Sequence, residues 1–365
     1  MRRLALVAVI LAAACGDSNT PPFSTGPGVT SVSQSSSSSG GSSSTSGSSS
    51  TSGSSGGADD SAAASSVSGV GTLDMGLPPD FGPDQPEGCK GKIDFLFVIS
   101  RGATMDQEQD RLLTSLPGFM TTIEDSFADY EPHILVANPD GKWAPEFCDK
   151  YLCPTYEPTC GPGAEEYVCY ENVSETLCDQ EIGAGLLFNA GANATNHPCQ
   201  LHGANRYIIP GEPDPNAFEC IARVGFYGPH TPMRDALFAA VQPEINGPGG
   251  CNNGFLRPDA LLVVTMIYDS ADSKSWWKPQ QVHDAVVAAK GGDPDAVVMV
   301  VITFPTTNEA QTPGCAFGDW PDPLKDLAGL FSYHVIGDVC ADNYTPYLEL
   351  AAAKVGEACG KFIPQ

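Results

Sequence analysis

The side chains best equipped for chemistry in this 365-residue chain are its thirteen cysteines. Cys15 closes an apolar N-terminal run, and the other twelve lie between Cys89 and Cys359. Zinc binding by cysteine favours close pairs of the C-x-x-C kind. The gaps among Cys148, Cys153, Cys160, Cys169 and Cys178 hold none, so an even set of disulfides in an exported chain is the economical reading. Acid–base and nucleophilic chemistry find little support. No H-E-x-x-H occurs, no G-x-S-x-G sits between a strand and a helix, and no Gly-rich phosphate loop follows an apolar strand. The six histidines are scattered. His283-Asp284 reads as a surface pair on a helix, which leaves the stretch from His197 to His202 as the place where a hydrolase would keep its site.

The frame that must position any such site starts at Asp94 to Met105, DFLFVISRGATM. Phe95 to Ile99 is an unbroken apolar run, as expected of a strand covered on both faces. Ser100, Arg101 and Gly102 form an abrupt turn, and a helix follows from Thr104, with Leu112, Leu113, Leu116, Phe119, Met120 and Ile123 along one stripe. Pro132 to Ala137 reads as a second strand. Residues 142 to 228 then break the rhythm and hold seven of the twelve cysteines. So long an irregular stretch is expected to be pinned or functional, and it reads as a disulfide-stapled insertion with Arg206 to Ile209 as an edge strand.

Beyond the insertion the alternation resumes. Thr231 to Val241 is predicted to be a helix capped by Thr231. Leu261 to Ile267 is a strand, Pro279 to Lys290 a helix closed by Gly291, and Ala296 to Phe304 another buried strand. Pro321 to Leu330 is helical, Tyr333 to Ile336 a short strand, and Tyr344 to Cys359 the last helix. Strands separated by helices imply a doubly wound, mostly parallel α/β layer with right-handed crossovers. Its ligands are expected at the carboxyl ends of the strands.

Ahead of this domain, Arg2 and Arg3 precede the apolar stretch Leu4 to Ala14. This is an export signal, too short for a stable membrane span. The run Leu11-Ala-Ala-Ala-Cys15 resembles a bacterial lipobox, which makes Cys15 the expected lipidation site at the end of a signal spanning residues 1–15. Gly16-Asp17-Ser18-Asn19 looks like the start of one esterase class, but no strand precedes it to aim the Ser. Residues 16–88 are Ser-, Gly- and Pro-rich and cannot bury enough apolar surface to offset their ordering entropy. As a flexible tether they would span roughly 45 Å, enough to hold the domain of residues 89–365 clear of a membrane. The formal charge of −26 argues against nucleic acid and against direct adsorption to anionic lipid.

The first strand, turn and helix resemble those of the von Willebrand factor A-type domain. GCNNGFLRPDALLVVTMIYDSADS, VVAAKGGDPDAVVMVVI and VCADNYTPYLELAAAKVGEAC are similar to segments of exported bacterial lipoproteins that carry such domains with a cysteine-rich insertion. The resemblance implies a Rossmann-like fold, a place on the cell envelope, and an adhesion or binding role for a protein or cell-surface ligand, without catalysis. In that family the first turn reads D-x-S-x-S and helps to hold a divalent cation that an acidic group of the partner completes. The matching positions here are Ser100, Gly102 and Thr104, so a carboxylate and a hydroxyl are missing. Thr231 and Asp269 are the remaining positional matches. One carboxylate beside Arg101 is a feeble cage for Mg²⁺ or Ca²⁺, so no cofactor is expected and any residual cation affinity should depend on Asp269. Helix capping by Thr104 and Thr231, and turn roles for Ser100 and Asp269, stand beside the ligand reading. Trp276 and Trp277, just past this rim, are candidate partner anchors, unless one of them packs on the helix that follows. The termini of this fold lie close together, which implies a Cys89–Cys359 bridge; Cys220–Cys251 and Cys315–Cys340 are the other expected pairs.

Overall fold

The computed structural model describes residues 89–102, 104–127, 129–142, 176–190, 193–225, 231–305 and 321–362. The expected signal, Cys15, the tether and Cys315 lie outside them. Among the described residues no helix is long and apolar enough to cross a membrane.

The unbroken apolar runs form strands. β1 (Lys92–Ile99), β2 (Glu131–Ala137), β3 (Leu261–Tyr268), β4 (Val297–Thr303) and β5 (Tyr333–Asp338) make one sheet in the order β2-β1-β3-β4-β5. Every pairing is parallel. Phe97 lies opposite Val136 on one side and Thr265 on the other. All residues of β3 and β4 are buried, which requires a covering layer on each face. Helices supply both layers. α1 (Asp106–Ser126) packs on α7 (Thr345–Cys359). A short α2 (Ala217–Ala222) belongs to the insertion; α3 (Met233–Ala240) and the single turn α4 (Pro243–Asn246) follow it. α3 packs on α5 (Pro279–Ala289), and α5 on α6 (Pro323–Ala328). The α1 stripe is seated as its spacing predicts, with Leu112, Leu116, Phe119 and Ile123 buried and Phe119 edge-on to Phe95 at 5.8 Å.

Since β1 pairs with both β2 and β3, the chain winds outward in two directions from that point. The crevice where the winding reverses lies beyond the carboxyl ends of β1 and β3. The free edge of β2 is closed by the insertion. Ile134 and Ile208 exchange both backbone bonds, at 3.0 and 2.8 Å, Leu186 N–H donates to the Val136 carbonyl (2.8 Å) and Asn138 N–H to that of Ala184 (2.7 Å). The expected edge strand at Arg206 to Ile209 is thus one antiparallel bridge. Only glycine fits at 185, because a Cβ there would collide with the Arg206 carbonyl. An open strand edge is an aggregation hazard, and the insertion removes it here.

Three bridges are described: Cys89–Cys359, Cys178–Cys251 and Cys199–Cys220. The first agrees with expectation. The Cys220–Cys251 pairing does not, and the reason is the strap along β2. Asn252 holds that strap by accepting from Gly185 N–H (2.8 Å) and donating to the Gly183 carbonyl (2.9 Å). This sets Cys251 beside Cys178, while Cys220 on α2 meets Cys199. Cys340 is disulfide-bonded; its expected partner, Cys315, lies outside the described residues.

The amino-terminal end of the sheet carries a buried charge network. Asp94 accepts from Arg257 N–H and Nε, each at 2.8 Å. Arg257 Nη2 also donates to the carbonyls of Ile93 (3.2 Å) and Glu131 (2.8 Å), which clamps the starts of β1 and β2. Lys290 Nζ donates to the Arg257 carbonyl at 2.6 Å. Burial pushes Asp94 up to about 6, against the pull of Arg257 and Lys290. Burial, aided by Arg257, pushes His133 down to about 4. The two groups act in opposite senses on stability. Asp94 contributes stability that is complete below its unfolded pKa and lost as pH rises towards 6, whereas the His133 contribution is lost as pH falls from 6.5 through 4. We expect near-cancellation in the wild type. In Asp94→Asn the unfolding midpoint in urea should rise with pH between 4 and 6.5, and in His133→Gln it should fall between 4 and 6. Parallel slopes in the two variants would refute this assignment.

Candidate functional site

The loops that follow β1 and β3 meet at the crevice. Ser100 is fully buried, as is Thr231. Their hydroxyls lie 3.1 Å apart, and Ser100 Oγ also accepts from Gly102 N–H at 3.1 Å. The exposed Thr104 donates its hydroxyl to Asp269 Oδ2. The four residues expected from separate parts of the chain therefore form two hydrogen-bonded pairs on one rim. Thr231 is not a cap. α3 begins two residues later, behind Pro232, with no side-chain cap, because the Thr231 hydroxyl is turned to β1 instead.

Three further groups lie at this rim, of which the sequence reading weighed only Arg101. Arg101 is fully buried, and its Nη1 donates to Asp140 (3.3 Å) and to the Lys142 carbonyl (2.9 Å), which ties the turn after β1 to the turn after β2. Asp106 and Glu108, on the first turn of α1, are close enough to act on the charge at Asp269. Burial raises Asp269 above the ordinary carboxylate range, the Thr104 bond lowers it, and Asp106 raises it further. Burial raises Glu108 as well, against its bond to Arg111. Only the apolar-to-polar change at the start of α1 could have flagged them.

This donor set falls short of a divalent cation. One carboxylate joins the hydrogen-bonded cluster, one of its oxygens is committed to the Thr104 hydroxyl, and the hydroxyls of Ser100 and Thr231 serve each other and the backbone. Among the described residues no three carboxylate, thiol or imidazole ligands converge at the rim. Mg²⁺ is usually held by one or two carboxylates with waters and Ca²⁺ by about six to eight oxygens, and the hydrogen-bonded cluster offers the carboxylate of Asp269 alone.

The loop after β3 is locked to α3. Asp272, fully buried, accepts from Arg234 N–H (3.1 Å) and Nε (2.8 Å) and from Ser275 Oγ (2.7 and 2.8 Å). Asp235 accepts from the backbone N–H groups of Trp276 (2.9 Å) and Trp277 (3.0 Å). The two tryptophans part company. Trp277 stacks on Phe238 of α3, the preceding helix, at 4.0 Å. Trp276 is 52% exposed. Compared with known proteins, the chain matches no family and no curated sequence.

Among the described residues, the alternative site at His197 to His202 shows no catalytic pairing. Both histidines are exposed. His197 Nδ1 reaches only the Pro198 carbonyl, at 3.4 Å, and Glu212 is spent on the His202 backbone N–H at 2.8 Å. Neither ring is paired with a carboxylate among the described residues.

Proposed function

We propose that the chain is a non-enzymatic, envelope-anchored binding module of A-type architecture, which engages a protein or cell-surface ligand through its carboxyl rim without a structural cation. The observation that carries this reading is the convergence of Ser100, Thr104, Thr231 and Asp269 at the switch point of a parallel sheet. There the donors satisfy one another. The tether of residues 16–88 and the lipobox-like Cys15 fit a domain held away from a membrane. Trp276 supplies an exposed aromatic anchor on a loop already ordered by Asp235 and Asp272, so ligand binding would cost little ordering entropy. Among the described residues neither His197 nor His202 is paired with a carboxylate, so nothing there favours the hydrolase reading.

The test restores what the rim lacks. A Cβ at Gly102 would meet nothing closer than 3.4 Å, the Ser100 hydroxyl, and would stand 3.6 Å from Asp269 Oδ1. A serine there is therefore sterically admissible. By calorimetry the native chain should give no saturable Mg²⁺ or Ca²⁺ heat. S100D/G102S should bind one equivalent with Kd on the order of 10⁻⁴–10⁻³ M and lose it when Asp269→Ala is added. A folded S100D/G102S that binds no cation would show that the rim lacks the A-type geometry, and saturable binding by the native chain would overturn the loss of the cation. Capture of an envelope ligand by the native chain should be indifferent to EDTA and weakened at least tenfold by Trp276→Ala, with the melting point unchanged. EDTA-sensitive capture would count against the proposal.

A further inference from the structure

Outside the rim, one cluster among the described residues combines thiophilic ligands with a part-exposed position. Cys178 lies on a 3₁₀ turn (Leu177–Gln180) and Cys251 in the loop after α4, with Cα atoms 5.6 Å apart. Glu181 brings Oε2 to within 2.9 Å of Cys251 Sγ. One ligand atom from each of the three residues lies within 4.8 Å of the other two. We infer that reduction of the Cys178–Cys251 bridge opens a three-ligand zinc site, made of the two thiolates and the Glu181 carboxylate, with the fourth tetrahedral position left to water.

Access, geometry and charge support this. Cys89 and Cys359 are fully buried and Cys199 is 5% exposed, whereas Cys178 and Cys251 are both part-exposed, so of the three described bridges this one is open to a small reductant from both of its cysteines. The backbone that carries the ligands is held without the bridge. Asn252 binds Gly183 and Gly185, Asn138 Nδ2 donates to the Asp179 carbonyl at 2.9 Å, and the Asp179 carboxylate bonds Thr176 and Arg206. The thiols therefore stay close after the S–S bond breaks. Zinc–sulfur bonds of about 2.3 Å place two tetrahedral sulfurs about 3.8 Å apart, which side-chain rotation reaches from the Cα spacing seen here. Two thiolates and a carboxylate in a chain of formal charge −26 would repel one another unless a cation joined them.

The balance of the step is simple. A phosphine gives two electrons to the S–S bond and takes up the oxygen of a water, whose two protons go to the sulfurs. Zn²⁺ then displaces both protons. Zinc fits better than Mg²⁺ or Ca²⁺ because thiolate is a soft ligand.

The whole chain is treated with a phosphine, freed of it, and titrated with Co²⁺ as the spectroscopic probe and then with Zn²⁺. We expect one equivalent bound, a thiolate-to-cobalt charge-transfer band, and displacement of Co²⁺ by Zn²⁺. The oxidised chain should show none of this. C178S/C251S should lose one equivalent, and E181Q, which keeps the bridge and its fold, should weaken Zn²⁺ binding at least tenfold after reduction. A band of the same intensity in C178S/C251S would place the metal on other cysteines and overturn the assignment, and unchanged affinity in E181Q with an unaltered circular dichroism spectrum would do the same. Neither outcome bears on the carboxyl rim, so this inference and the proposed binding role fail separately.

Discussion

Removal of the Cys89–Cys359 bridge as C89S/C359S is expected to lower the unfolding free energy by about 5 kcal/mol. The bridge closes a loop of 270 residues. Loop-closure entropy grows only with the logarithm of length, yet at this length it reaches several kcal/mol. Both sulfurs are buried, and the bond ties the end of α7 to the turn that starts β1, where Cys89 also accepts from Lys92 N–H at 3.0 Å. Guanidinium unfolding should show a lower midpoint and a steeper dependence on denaturant, because the unfolded chain is freed to expand. A loss below about 1 kcal/mol would mean that strain or residual structure cancels the constraint.

The second large effect is local. Asp272→Ala leaves Arg234, 5% exposed, without its carboxylate. Stranding one member of a buried ion pair costs roughly 3–5 kcal/mol. Here the Arg234 guanidinium would keep only its bonds to the carbonyls of Trp277 and Asp272, while Ser275 would lose its acceptor. The loss should be accompanied by rapid amide exchange through residues 271–277 and by a change in Trp fluorescence as Trp277 leaves Phe238. Asp272→Asn should cost less than half as much, since it keeps the acceptor oxygen. Slow exchange in that loop after Asp272→Ala would show that Asp235, not Asp272, holds it.

Periodicity made the strands and most helices legible in the sequence. Phe95 to Ile99 is an unbroken apolar run, and Leu261 to Ile267 and Ala296 to Phe304 are apolar but for Thr265 and Thr303, a pattern expected of strands buried on both faces; their ends were displaced by three residues at most, at the start of β1. Helix α1 was equally plain from its stripe. The start of α3 was not, because Thr231 is a good cap by type and only the position of Ser100, 131 residues away, draws its hydroxyl elsewhere. Which of the two tryptophans packs, and on which helix, was not legible, since that depends on a pair of carboxylates, Asp235 and Asp272, that tie the loop to α3.

Composition and local pattern alone determined the class of this protein: an acidic, cysteine-rich α/β domain behind a Ser- and Gly-rich segment, with its functional rim expected where the strands end. Tertiary structure decided which atoms meet there. Side-chain type states what a residue can bond, but partner choice is a competition among everything within about 3 Å, and that neighbourhood is set by strand order and by the strap along β2. The same competition gave Cys251 to Cys178, left Cys220 to Cys199, and turned three hydroxyls and a carboxylate toward one another at the rim.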